Sequence, residues 1–236
     1  MENPIAVMKR YELKYVLDKE QTAKLREAIK GRLEGDEYGL TSIASLYYDT
    51  PDYLLIRRSL EKPEYKEKMR LRSYGPASPD GRVFLELKRK CSGIVYKRRV
   101  ATTIKEVDDF FKKQGKIGEN GQISREIAYF RDYYKNLIPT CLVIYDRVAY
   151  FQKDGDLRLT IDYDPRYRFT DLDLTTSMDG KPILPEGYAI LEVKAQDSLP
   201  LWLTEILDDN GIRKSSISKY GEAYKAKMAL MKKQAA

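Results

Sequence analysis

The sequence predicts an α+β fold: a β-barrel that carries its charges inside and its apolar residues outside, beneath helices. Two observations point there. Three strand-like runs place an acid and a base two residues apart, Glu12-Leu13-Lys14, Glu86-Leu87-Lys88 and Glu192-Val193-Lys194. In a β-strand such residues share a face while the one between them points away. The neighbours extend the rule, since Arg10, Glu12 and Lys14 oppose Tyr11, Leu13 and Tyr15, and Lys68, Arg70 and Arg72 oppose Met69 and Leu71. Charge is therefore expected to own one whole face. A solvated sheet with cross-strand salt bridges also alternates. However, Lys68, Arg70 and Arg72 stand roughly 7 Å apart along one strand, where like charges at an effective dielectric of ~20 repel by about 2 kcal/mol per pair. Open water would relieve that repulsion. A closed sheet would not, and its bases would require a polyanion.

The elements follow in order. Residues 8–17 read as a strand ended by Asp18, which can cap a helix over 19–32 with Gln21 completing a capping box. Thr41 to Asp49 is a second strand, after which Thr50-Pro51 is expected to open a short helix with proline at its first position. Tyr65 to Tyr74 and Val83 to Lys90 form a hairpin around Asp80-Gly81, and Ser92-Gly93 turns the second of these into Ile94 to Thr102. Residues 103–113 and 124–137 have helical spacing, the latter showing Ile127, Tyr129, Phe130, Tyr133 and Tyr134. Strands return at Thr140 to Gln152, Leu157 to Asp164 and Tyr188 to Ala195, and helices over 199–209 and 217–231 finish the chain. No Gly/Ser/Pro-rich linker divides the 236 residues, so residues 1–236 read as a single domain.

Composition bounds the chemistry. The formal net charge of +7 favours acidic partners such as phosphate esters. With 0 histidines, the chain cannot use His-based triads, imidazole bases or His metal sites. Cys91 and Cys141 lack CxxC spacing, and the N-terminus shows no signal-peptide core or apolar span, so a reducing, cytoplasmic setting is expected. No GxxxxGK[ST] or GxGxxG occurs, which argues against a P-loop or Rossmann nucleotide site. Nucleic acid is not the expected partner, because the bases alternate with acids along strands and form no exposed stripe with stacking aromatics.

The basic set on the charged parity is Arg10, Lys14, Lys68, Arg70, Arg72, Lys88, Lys97, Arg99, Arg147 and Arg158. Arginine forks match phosphate oxygens bidentately and lysines supply compact charge, which suits a chain of phosphoryl groups. Glu12, Glu86 and Glu192 add hard oxygen donors that suit Mg²⁺ or Mn²⁺ shared with phosphate, although each could equally neutralise a neighbouring lysine. Tyr145 and Arg147 share a face, and Ser218-Lys219-Tyr220 opens the last helix, where a hydroxyl, a cation and unpaired amides can meet an anion.

Seven motifs in order, Arg10-Tyr-Glu-Leu-Lys-Tyr15, Ser45-Leu-Tyr-Tyr-Asp-Thr-Pro51, Lys68-Met-Arg-Leu-Arg72, Phe84-Leu-Glu-Leu-Lys88, Tyr145-Asp-Arg147, Leu191-Glu-Val-Lys194 and Ser218-Lys-Tyr220, resemble the VTC polyphosphate polymerase domain. That family belongs with the triphosphate tunnel metalloenzymes, relatives of the CYTH proteins. The resemblance spans about residues 8 to 225 and implies an antiparallel β-barrel tunnel with helices packed outside. It implies that Lys14, Arg70, Arg72, Lys88, Lys97, Tyr145, Arg147, Arg158, Ser218 and Lys219 bind phosphates, and that Glu192 holds the metal. It further implies transfer of the γ-phosphoryl group of ATP to polyphosphate with Mn²⁺ or Mg²⁺. The chain departs at Ser216, where the polymerase carries a further lysine, though Lys214 stands nearby. The SPX sensor and membrane segments of the eukaryotic complex have no counterpart here, which leaves a membrane-protein partner and the oligomeric state open.

The expectation is thus a tunnel protein binding ATP, triphosphate or polyphosphate. Lys14, Arg70, Arg72, Lys88, Arg147, Arg158 and Lys219 are assigned to catalysis, Arg10, Lys68, Lys97, Arg99, Tyr145 and Ser218 to substrate binding, and Glu192 to the metal with Glu12 and Glu86 as further ligands. Loose phosphoryl-transfer transition states need positioning and charge neutralisation more than a strong base, so a histidine-free site is adequate. The rivals are a tripolyphosphatase or nucleoside triphosphatase on the same tunnel, and a non-catalytic polyphosphate or inositol-phosphate binding module.

Overall fold

The computed structural model describes residues 11–92, 94–112, 115–119, 121–196 and 198–234. In chain order they begin with β1 (Tyr11–Leu17), α1 (Lys19–Ile29), β2 (Glu34–Gly35), β3 (Thr41–Asp49) and α2 (Leu54–Leu60). Next come β4 (Tyr65–Tyr74), β5 (Val83–Cys91), β6 (Ile94–Thr102), α3 (Ile104–Lys112) and α4 (Gln122–Tyr134). The chain continues with β7 (Ile138–Phe151), β8 (Arg158–Arg168), β9 (Lys181–Pro182), β10 (Ala189–Ala195), α5 (Leu201–Asp209), β11 (Lys214–Ser215) and α6 (Lys219–Gln234). This is an α+β architecture in which β1 pairs with β10 and β11, β10 with β8, β3 with β4, β4 with β5 and β5 with β6, all antiparallel. Of the expected first strand, residues 8–10 lie outside the described residues.

Two compact units interleave along the chain, so no single cut separates them. The first runs to Leu40 and adds Arg147–Tyr163 and Gly187–Ile217; the second comprises Thr41–Asp146, Asp164–Glu186 and the chain from Ser218.

In the first unit, β1 pairs with β11 on one side and β10 on the other, and β10 pairs with β8. Leu17, Leu159, Ile161, Leu191 and Val193 fall on one parity and bury themselves against Leu25 and Ile29 of α1 and Leu203 and Leu207 of α5. The alternation thus places the apolar face under helices, as expected. Helix α1 starts where its capping box requires. The Asp18 carboxylate accepts the Gln21 N–H at 2.8 Å while the Gln21 side chain accepts the Asp18 N–H at 3.1 Å. Asp18→Ala is expected to cost about 1 kcal/mol, read as a loss of a few degrees in melting temperature with the circular-dichroism spectrum kept.

In the second unit the strand order is β7-β3-β4-β5-β6. Leu46, Met69, Leu71, Leu85 and Leu87 pack on one face against Val107 and Phe110 of α3 and Ile127 and Phe130 of α4. Tyr129 and Tyr133 do not join them, being 66% and 62% exposed. Their helical spacing reads as core because tyrosine is amphipathic, but α4 turns the Ile127, Phe130 and Arg131 face inward.

Two expectations need correction here. Charge does not own the whole opposite face. Ile43, Tyr47, Cys141, Val143 and Tyr145 of β3 and β7 share that parity and form a buried cluster with Ile56 of α2 and Tyr220 and Ala223 of α6. Helices therefore cover both faces of this unit, where the expectation placed them outside only. Pro51 also does not open α2, which begins at Leu54 after Tyr53 in the left-handed conformation at φ 60. The buried Asp49 carboxylate accepts N–H groups from Thr50 at 2.8 Å, Leu55 at 2.8 Å and Ile56 at 3.0 Å, capping the helix from the end of β3 and leaving Pro51 in a turn. Within neither unit do the described pairings close into a ring. No helix among the described residues is long and apolar enough to cross a membrane.

Candidate phosphate and metal sites

Register brings the cations of the second unit together. Across β4, β5 and β6, Lys68 pairs with Lys88 and Lys88 with Lys97; one step along, Arg70 pairs with Glu86 and Glu86 with Arg99. Cross-strand partners share a face. Glu86, only 1% exposed, therefore stands among bases: Arg70 at 2.8 Å, Lys97 at 2.8 Å, Arg99 at 2.9 Å and Arg72 at 3.8 Å. Burial works against its ionised form, but Arg70, Arg72 and Lys97 outweigh that and hold its carboxyl well below the ordinary carboxylate range. Burial lowers the Lys97 ammonium's affinity for its proton despite Glu86, and Arg72 and Arg70 add to the lowering.

The rest of the set lies around this centre. Arg70 donates to the Tyr47 hydroxyl at 3.3 Å and Arg72 to the Tyr145 hydroxyl at 3.4 Å. The Lys219 ammonium lies 4.3 Å from the Tyr145 ring centroid, a cation–π distance. Lys68 donates to Ser218 Oγ at 3.0 Å. Ser218 caps α6, since its Oγ accepts the Gly221 N–H at 3.3 Å and its carbonyl the Glu222 N–H at 2.8 Å.

The first unit has its own charged face. Lys14 pairs with Glu192 across β1 and β10, Glu12 with Lys194, and Lys194 with Arg158 across to β8. Glu192 meets Lys194 at 2.7 Å and Lys14 at 3.8 Å, and Lys14 also reaches Glu12 at 3.5 Å. Burial again opposes ionisation of Glu192, but Lys194, Lys14 and Arg147 hold it well below the usual range. Arg147 forks onto the fully buried Asp162 at 2.5 and 2.9 Å. Sequence reasoning named Lys194 as the base of the third dyad without giving it a site role, and missed Asp162, for which the parity of Arg158, Thr160 and Asp162 was the available signal. Arg10 lies outside the described residues.

The donor set decides what metal fits. Among the described residues no three acidic or cysteine side chains cluster to hold an ion. Glu192, with Glu12 sharing Lys14, offers only one or two carboxylates. That count fits Mg²⁺ or Mn²⁺ carried largely by phosphate oxygens and water, and does not fit an all-protein cage.

The VTC domain profile matches residues 9–228. The chain belongs to the VTC domain family. The solved structures bear on the fold alone. A proposed adenylate cyclase from Bacillus halodurans matches with a TM-score of 0.54 at 14% identity, over 89% of this chain and 96% of that one. A proposed adenylyl cyclase from Hippeastrum, described as having a dominant triphosphatase activity, matches with a TM-score of 0.47 at 17% identity, over 89% of this chain and 92% of that one. No curated protein sequence matches the chain.

Proposed function

We propose that this VTC-domain protein binds the triphosphate of ATP and polyphosphate on its cationic strand faces and transfers the γ-phosphoryl group of ATP to a polyphosphate chain. The barrel tunnel of the family is part of the proposal. The observation that carries it is the convergence of Arg70, Arg72, Lys97 and Arg99 on the single carboxylate of Glu86. One anion cannot neutralise four cations, and the surplus is matched by a ligand with several negative oxygens in a row.

In this reading Arg70, Arg72, Lys88, Lys14, Arg147, Arg158 and Lys219 stabilise the transferring phosphoryl group, while Lys68, Lys97, Arg99, Tyr145 and Ser218 hold the rest of the chain. Glu86 is the counterion that Arg70, Arg72, Lys97 and Arg99 share. Glu192, with Glu12 beside Lys14, would hold Mn²⁺ or Mg²⁺, which when bound neutralises charge on the phosphate oxygens. The free thiols of Cys91 and Cys141 fit the cytoplasmic setting expected from sequence. Hydrolysis of the same triphosphates is the second reading, favoured by Glu12, whose carboxylate lies 3.5 Å from the same Lys14 that faces Glu192.

Incubation of the purified protein with ATP and Mn²⁺, resolved by gel and by release of free phosphate, separates these readings. Long phosphate chains support the transferase, free phosphate alone supports the hydrolase, and neither product would overturn both.

A further inference from the structure

Lys219 and Ser218 can act on an anion only if the first turn of α6 is held against the strands that carry the arginines. The side chain that holds it is the next residue. Tyr220 is 1% exposed and stacks on Tyr47 of β3 with ring centroids 4.4 Å apart and planes 15° from parallel. Its hydroxyl donates to Asp49 Oδ2 at 2.9 Å and lies 2.9 Å from Thr140 Oγ1 of β7. Thr140 Oγ1 also lies within 3.2 Å of the Tyr47 carbonyl. A phenol has one proton to give, so with Asp49 as its acceptor any bond with Thr140 is one it accepts, from the same hydroxyl proton that the Tyr47 carbonyl also takes.

Asp49 is fully buried and its carboxylate is satisfied by the N–H groups of Thr50, Leu55 and Ile56 together with Tyr220. The desolvated carboxylate thereby fixes the end of β3, the start of α2 and the start of α6 at one point. Charge-assisted bonds in a low-dielectric interior are the strong ones, and their geometry is correspondingly narrow. The same Tyr47 whose ring Tyr220 stacks on receives the Arg70 hydrogen bond at 3.3 Å, so the network touches the arginine cluster from below.

We propose that Tyr220 is a positioning residue which, through Asp49 and Tyr47, sets the distance of Lys219 and Ser218 from the cations of β4 and thereby the affinity for a phosphate chain. Its consequence for affinity rests on the phosphate reading above; its consequence for the helix start does not.

Two readouts test it on the full chain: amide hydrogen exchange across α6, and calorimetric affinity for inorganic tripolyphosphate. Tyr220→Phe keeps the stacked ring and removes only the hydroxyl. It is expected to speed exchange at Gly221 and Glu222 while leaving the amides of α4 unchanged, and to weaken tripolyphosphate about ten-fold. Adding Lys219→Ala to Tyr220→Phe should cost less than Lys219→Ala costs alone, a non-additivity that simple loss of stability does not produce. Should Tyr220→Phe fail to fold, Thr140→Val removes the other hydrogen bond to the phenol and is expected to act in the same direction. Unchanged exchange in the first turn of α6, or fully additive losses, would overturn the proposal. If the parent protein itself binds no tripolyphosphate, the functional reading fails, and the exchange comparison alone decides the role of Tyr220.

Discussion

Glu86→Gln is expected to lose about 3–5 kcal/mol of stability and to regain much of it when tripolyphosphate is added. The carboxylate is 1% exposed and lies within 4.0 Å of four cationic side chains, of which Arg72 has a side-chain exposure of only 8%. Glutamine keeps the shape and removes the charge, leaving the buried Arg72 and the part-buried Arg70 beside Lys97 and Arg99 without the carboxylate that they share. For a chain of this size the loss corresponds to roughly 10 °C in melting temperature. A polyanion at ~100-fold excess over its dissociation constant returns about 2.7 kcal/mol, and the variant should gain more from it than the parent does. The pH dependence has a definite sign. The folded carboxyl is depressed below its ordinary value, so its contribution is full above about pH 4.3, the ordinary carboxyl value, and is lost as pH falls toward the folded value. Melting curves of parent and variant should converge on acidification. Equal stability of the two at neutral pH would remove Glu86 as the counterion of the cluster.

Glu192→Gln carries the largest expected effect on turnover. If Glu192 holds Mn²⁺ or Mg²⁺ against bound phosphates, the amide should abolish metal-dependent turnover, because it offers a neutral oxygen in place of an anion. Binding of tripolyphosphate without metal should survive or tighten, since Lys14 and Lys194 lose the carboxylate that they now face at 3.8 and 2.7 Å. Glu12→Gln should be milder if Glu12 only pairs with Lys14, and equally severe if both carboxylates serve a hydrolase. Turnover of the two variants beside the parent, with the metal titrated, gives the comparison. An unimpaired Glu192→Gln protein would remove the metal assignment.

Much of this was legible in the sequence, because period-two alternation converts directly into faces. The dyad at Glu192 and Lys194 and the run Lys68, Arg70, Arg72 could be placed on one side of their strands without any contact information. Turn residues put the three strands side by side, but parity does not fix their register, and so it could not show that Glu86 answers to Arg99 and Lys97 from β6 as well as to its own hairpin partner Arg70. Nor could it tell a buried tyrosine on the charged parity from one in solvent. Tyr47 and Tyr145 are roofed by α6, whereas Tyr129 and Tyr133 stay exposed, and tyrosine's amphipathic ring suits both. The start of α2 was misread for a similar reason. Its cap is Asp49, six residues before the Leu55 amide that it accepts, where local capping rules look only three residues ahead. Asp162 shares the parity of Arg158, but that parity does not show that the arginine it receives is Arg147 of another strand.

Calorimetric titration of tripolyphosphate into the protein at rising salt tests polyanion capture most directly. Saturable binding at low salt, weakening as the Debye length shrinks from ~30 Å at 0.01 M to ~8 Å at 0.15 M, together with a raised melting temperature, is the expected result. No binding heat and no shift in melting temperature at low salt would contradict it.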